Sequence, residues 1–83
     1  MYINVGNMSF GTNEEELREV FAEFGTVESV KLMTNSEGQS RGFGFVTMAD
    51  DNEGNAAIRS LNGDEFAGRK LRVNEIQASE MPS

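Results

Sequence analysis

The chain of 83 residues predicts an α+β domain: a four-stranded antiparallel sheet with two helices on one face, in the order βαββαβ. Three observations carry that prediction. Four short runs alternate apolar and polar residues, as half-buried strands do. Two longer stretches repeat apolar residues at helical spacing, each behind a residue that can cap a helix. Finally, one helical stretch lies between the first two strands and the other between the last two, which is the order of a split βαβ pair.

The elements follow in chain order. Tyr2 to Gly6 alternates Ile3 and Val5 against Tyr2, Asn4 and Gly6, giving the first strand. Thr12-Asn13-Glu14-Glu15 reads as a capping box, with Thr12 accepting from a free amide and Glu15 reaching back. Leu17, Val20, Phe21 and Phe24 then form one apolar stripe, and Gly25 is expected to end the helix in a left-handed conformation. Val27 to Met33 is the second strand, with Val30 and Leu32 on one face and Ser29, Lys31 and Met33 on the other. The polar segment from Thr34 to Ser40 is a hairpin loop, and Gly42 to Met48 is the third strand.

Asp50 or Asp51 can cap the second helix, where Gly54, Ala57, Ile58 and Leu61 repeat the helical spacing. Gly54 costs about 1 kcal/mol relative to alanine, which suggests close packing on the sheet. Asn62-Gly63 ends the helix. Lys70 to Asn74 is the last strand, with Leu71 and Val73 opposed to Lys70, Arg72 and Asn74. The domain is expected over residues 1–76, with a frayed tail over 77–83. The full layout is ferredoxin-like, and its second sheet face is open.

Composition narrows the function classes. The chain has neither cysteine nor histidine, so it offers no disulfide framework and no zinc site of the usual kind. Histidine is also the commonest general base, and no other residue reads as an activated nucleophile, so no enzyme is expected. Gly42-Phe43-Gly44 lacks the third glycine and following helix of a dinucleotide loop. Glu14-Glu15-Glu16 is read as helix-dipole and solubility chemistry, not as a metal site. No cofactor is expected. Apolar runs are far too short for a membrane span, and no secretory pattern opens the chain, so a cytoplasmic monomer without membrane contact is expected. The formal net charge of −7 argues against a polyanion partner until the charges are placed.

Arg41-Gly42-Phe43-Gly44-Phe45-Val46-Thr47-Met48 is the most specific segment. It resembles the octamer signature of the RNA-recognition-motif family at every position but the last, where Met48 replaces an aromatic residue. Ile3-Asn4-Val5-Gly6-Asn7-Met8 resembles the family's hexamer. Leu61-Asn62-Gly63 and Gly68-Arg69-Lys70-Leu71-Arg72-Val73 extend the likeness over nearly the whole chain. It is most similar to the short single-domain RNA-binding proteins of bacteria, cyanobacteria included, which implies RNA handling, with cold or stress as a setting.

The resemblance implies that Phe43 and Phe45, two apart on one strand, face outward and stack bases of single-stranded RNA or DNA. Alternation alone leaves the matter even, because paired phenylalanines at that spacing usually form the buried side of a strand. Asn4 stands where the family usually carries an aromatic platform, so binding is expected to be weaker by about one stacking contact, roughly 1–3 kcal/mol. Tyr2 shares its parity and either substitutes in part or packs locally. Lys31, Arg41, Lys70 and Arg72 share the face of the two rings and are expected to meet phosphates. Asn74 and Glu75, with the backbone near Gln77, are expected to read base edges.

Eight acids, Glu14, Glu15, Glu16, Glu19, Glu23, Asp50, Asp51 and Glu53, lie on or at the helices, behind the sheet. Layers about 10 Å apart exceed a screening length of about 8 Å, so a basic front and an acidic back are compatible. The acidic helical face also leaves open a second reading, a protein-interaction domain of the same fold with weak or no RNA binding.

Overall fold

The computed structural model describes residues 1–81. Its elements are β1 (Tyr2–Gly6), α1 (Glu14–Ala22), β2 (Val27–Thr34), β3 (Ser40–Met48), α2 (Asp51–Leu61), β4 (Glu65–Phe66), β5 (Arg69–Lys70) and β6 (Arg72–Ile76), followed by a 3₁₀ turn at Ala78–Glu80. Strands β2, β3, β1 and β6 form one sheet in that order, and every neighbouring pair is antiparallel. Helix α1 packs chiefly on β2, and α2 on β6 and β3. The predicted α+β layout therefore stands, with two helices covering one face of a four-stranded sheet.

Between the layers lies a core that follows the strand alternation. Ile3 and Val5 of β1, Val46 and Met48 of β3 and Val73 of β6 are all sealed against Leu17 and Phe21 of α1 and Ala57 and Leu61 of α2. Gly44 lets this packing close. A Cβ there would meet the Lys31 carbonyl oxygen at 2.7 Å and Leu17 Cδ2 at 3.5 Å, so a side chain would push β2 and α1 off β3.

Both helix starts use side-chain caps, but the first is one residue later than the sequence suggests. Asn13, not Thr12, is the N-cap of α1: its Oδ1 accepts from the Glu16 N–H at 2.8 Å, and Glu16 Oε1 accepts from the Asn13 N–H at 3.2 Å. Thr12 is instead 3% exposed, and its hydroxyl has no partner among the described residues. Asp50 caps α2, accepting from the Glu53 N–H at 3.0 Å.

Helix α1 ends at Ala22 with Glu23 still right-handed, and Gly25 has a φ of 158°, close to extended. Gly25 therefore does not supply the left-handed cap; what requires glycine is contact, since a Cβ would overlap the Glu53 side chain. That carboxylate accepts from the Thr26 N–H at 3.2 Å and ties the turn to α2. Gly54 is close-packed as expected, but its neighbour is the Met1 side chain ahead of β1, not the sheet itself.

The C-terminal third departs most from the prediction. The last sheet strand is Arg72–Ile76, and Lys70 belongs to a separate two-stranded hairpin in which Glu65 pairs with Lys70 and Phe66 with Arg69. Asn62, at the end of α2, ties that helix to β6, since its Oδ1 accepts from the Val73 N–H at 3.0 Å. Of the tail expected over 77–83, residues Ala78–Glu80 form the 3₁₀ turn, and the last two positions lie outside the described residues.

The hairpin turns through Ala67 and Gly68, at φ 52° and 84°. Two consecutive positive φ angles suit Asn-Gly, whereas an L-residue with a plain Cβ pays about 1–2 kcal/mol for the left-handed region. Ala67→Asn should therefore raise stability by about 1 kcal/mol. A urea melt checks this: the midpoint should rise at constant slope, and a fall would contradict the turn geometry.

Candidate nucleic-acid interface

Pairing register decides which side chains share the open face, because directly opposed residues of antiparallel strands point the same way. Asn4 lies opposite Phe45 on one side and Asn74 on the other, and Phe45 lies opposite Lys31. Lys31, Phe45, Asn4 and Asn74 thus form one row across all four strands. The neighbouring row is Ser29, Thr47, Tyr2 and Ile76. Arg72 stands opposite Gly6, at the end of the sheet nearer Phe43.

Phe43 and Phe45 are half-exposed on this face, while Gly42, Gly44, Val46 and Met48 are buried. The alternation left open by the sequence is settled by the partners: the helices seal Val46 and Met48, so the rings face away. The ring centroids are 6.1 Å apart at an interplanar angle of 85°, an edge-to-face pair. The Arg41 guanidinium lies 5.3 Å from the centre of the Phe43 ring, a cation–π distance. Arg41 is therefore both a cation at the site and a cover for one ring.

Asn4 donates from Nδ2 to Asn74 Oδ1 at 3.4 Å, and Asn74 Nδ2 donates to the Glu75 carbonyl at 3.4 Å. The two amides form a polar strip beside the rings, where the resemblance implies a third ring. Tyr2 is 37% exposed on the same face, one row from Phe45.

Two predicted residues stand elsewhere. Glu75 lies opposite Ile3, so its side chain has the parity of the helix-covered face, and only its backbone borders the strip. Lys70 lies outside the four-stranded sheet because it pairs with Glu65 in the small hairpin and β6 begins at Arg72, although exposed and buried residues still alternate from Lys70 through Leu71 to Asn74. Its carbonyl accepts from Asn7 Nδ2 at 2.7 Å.

Two further residues were not singled out by the sequence. Asn7, at φ 59°, accepts from Arg69 Nη2 on its Oδ1 at 2.7 Å. It thereby docks the small hairpin on the end of β1. A left-handed asparagine directly after a strand has no periodic signature, so alternation cannot reveal it. Phe10, in the loop after β1, is 68% exposed. Its signal was present: an aromatic residue in a polar loop, outside every apolar stripe.

An arrangement of this kind offers flat π-surfaces, donors and positive charge on an open sheet. It can hold planar, anionic, acceptor-rich chains. Among the described residues, no three His, Cys, Asp or Glu side chains are grouped to hold a metal ion.

Comparison with known proteins agrees with this chemistry. The profile of the RNA recognition motif family matches residues 3–72. The chain is 49% identical over 81 residues to "Putative RNA-binding protein RbpB" of Nostoc, covering 96% of this chain and 79% of that one. It is 43% identical over 75 residues to a glycine-rich RNA-binding protein of Daucus carota, covering 89% of this chain and 48% of that one. Among solved structures, RNA-binding protein PG1 superposes with a TM-score of 0.91 at 45% identity, over 100% of this chain and 99% of that one. The Rna15 RRM with bound RNA (GU) superposes at 0.87 with 25% identity, over 96% and 86%.

The placement of the rings can be tested without any ligand. Phe43→Ala should cost about 1 kcal/mol, as for a cross-strand pair on an outer face. Phe21→Ala, which empties a sealed site, should cost about 3–5 kcal/mol. Comparable losses for the two variants in denaturant melts would put Phe43 in the core.

Proposed function

The chain belongs to the RNA-recognition-motif family, and from that membership we propose that it binds single-stranded RNA across the open face of its sheet. The observation that carries this reading is the row from Lys31 through Phe45 and Asn4 to Asn74, with Phe43 and Arg41 beside it. Helices α1 and α2 pack on the other face of the sheet. Unpaired bases expose flat faces that stack on aromatic rings, whereas bases within a duplex are already stacked on each other.

In the free chain the two rings are nearly perpendicular, so neighbouring bases cannot both lie flat on them without a rotation of one side chain. Arg41 answers the same need. A base that stacks on Phe43 displaces the guanidinium or traps it against the ring, and either movement brings the cation to the adjoining phosphate. Lys31 and Arg72 flank the path on the two outer strands. Asn4 and Asn74 present amide donors and acceptors to base edges between them.

Membership and relatives point to a binding domain, not a catalyst. Among the described residues no helix is long and apolar enough to cross a membrane. A cytoplasmic monomer, RNA handling under cold or stress, and binding of single-stranded DNA by the same stacking belong to this proposal. So does a protein partner on the acidic helical surface, which faces away from the bound strand.

A titration by fluorescence anisotropy tests the reading. Replacing both Phe43 and Phe45 with Ala should weaken binding of a short single-stranded RNA at least about thirty-fold, at about 1 kcal/mol or more per lost stack. The salt slope, about −2 if Lys31, Arg41 and Arg72 each meet a phosphate, should change little in that variant. Unaltered affinity would remove the role assigned to the rings. In the same assay Asn4→Phe should tighten binding about ten-fold by restoring a third platform; weaker binding would mean that the amide strip matters more than a ring.

A further inference from the structure

Of the asparagines in the chain only Asn62 precedes a glycine, and no aspartate does. That pairing carries a chemistry of its own. Glycine has no Cβ to shield its nitrogen, so the Gly63 nitrogen can attack the side-chain amide carbon of Asn62. The nitrogen gives up its proton to hydroxide and bonds to Cγ, and the side-chain nitrogen leaves as ammonia. A five-membered succinimide results. Water then opens one of its two carbonyls, giving aspartate or isoaspartate. The net change exchanges one amide and one water for one carboxylic acid and one ammonia.

Asn62 is exposed at the C-terminal end of α2, so water reaches it, yet both reacting groups are held. Asn62 Oδ1 accepts from the Val73 N–H at 3.0 Å. The Gly63 N–H, which supplies the nucleophile, donates to the Leu71 carbonyl at 2.8 Å, and the Leu71 N–H donates to the Asp64 carbonyl at 2.9 Å. Leu71 and Val73 are themselves sealed in the core, so these bonds are anchored from behind. The backbone opposes the reaction too. Ring closure needs Asn62 Cβ and the Gly63 nitrogen eclipsed about the Cα–C bond, and at ψ 120° they are well apart. The restraint is geometric, not electronic. A donor on Oδ1 polarises the amide and makes Cγ more electrophilic, so the carbon is prepared and the nitrogen cannot reach it.

We propose that Asn62 is a site of spontaneous modification gated by the Leu71–Val73 segment: it converts to aspartate or isoaspartate only when that segment lets go of α2. The two products differ in consequence. Aspartate keeps an acceptor oxygen that can receive the Val73 N–H again. Isoaspartate adds a carbon to the backbone at the joint between α2 and the small hairpin, and that added length works against the register of β6 on β1. A chain that stays closed is preserved, whereas one that opens often records its openings in covalent form. The inference stands apart from the RNA reading, since it uses no residue of the open face.

Peptide mass spectrometry of the whole chain, incubated in mildly alkaline buffer, tests this. Conversion at Asn62 should be about a hundred-fold slower in native buffer than in urea that unfolds the chain, as for a site exposed only by opening. In urea below the transition, its rate should rise in step with hydrogen exchange at the Gly63 and Val73 amides. Asn62→Gln, whose longer side chain cannot close the five-membered ring, should leave that peptide unchanged in mass. Equal rates in native buffer and in urea overturn the gating. So does a rate that rises with urea without following those two amides. No conversion in urea, or a mass change that persists in Asn62→Gln, removes the site itself.

Discussion

Everything at the interface depends on the two-residue alternation of β3 being locked by what lies behind it. Val46 and Met48 are held under the helices, so Phe43 and Phe45 have no choice but to face outward. A slip of one residue would exchange the two sets, bury both rings against α1 and α2, and leave Val46 and Met48 in water. The core thereby stabilises the fold and also keeps hydrophobic rings in a place where burial alone would never put them. Gly44 is part of the same lock: its missing Cβ is what lets β2 and α1 close on β3 directly behind the rings.

The charge distribution follows from the layering. Of seven bases, Arg18 and Arg59 lie on helices, and Lys31, Arg41, Arg69, Lys70 and Arg72 lie on strands of the sheet or of the small hairpin. The acids crowd the helices and the cavity that runs from α1 to the hairpin. A net charge of −7 therefore describes the back of the molecule more than the front. Its long-range effect is to slow approach of any polyanion and to disfavour indiscriminate binding, while stacking supplies attraction that does not depend on charge. On the proposed mode such a domain would hold RNA by its bases more than by its backbone.

How far the sequence could be read depended on whether a feature was periodic. Strand alternation in β1, β2 and β3 and the Leu17–Phe21 stripe were legible because many residues repeat the same signal. Single-residue choices were not. Thr12 and Asn13 are both good caps in adjacent positions, and only tertiary packing, which buries Thr12, gives the role to Asn13. Lys70 and Arg72 share a parity and both are exposed, but Lys70 pairs with Glu65 in the hairpin and the four-stranded sheet resumes only at Arg72, a change of pairing that alternation does not register. Gly54 announced close packing without saying against what, since nothing in the local pattern links it to Met1, far away in the chain.

The interface carries an asymmetry that bears on how it selects its ligand. Rings and cations gather on β3 and toward its Phe43 end, where Arg41 covers one ring and Phe10 lies beyond Gly42. The β1–β6 half presents amides, with Asn4 and Asn74 already bonded to each other. Stacking is tolerant of base identity, because every base has a flat face, whereas an amide pair must be opened before it can bond to a base edge. In the proposed binding mode, discrimination between sequences would be concentrated where Asn4 and Asn74 meet, and general affinity where Phe43 and Phe45 lie. On that proposal a third ring at position 4 would add affinity to the half of the sheet where amides can bond base edges, and asparagine there would exchange the one property for the other.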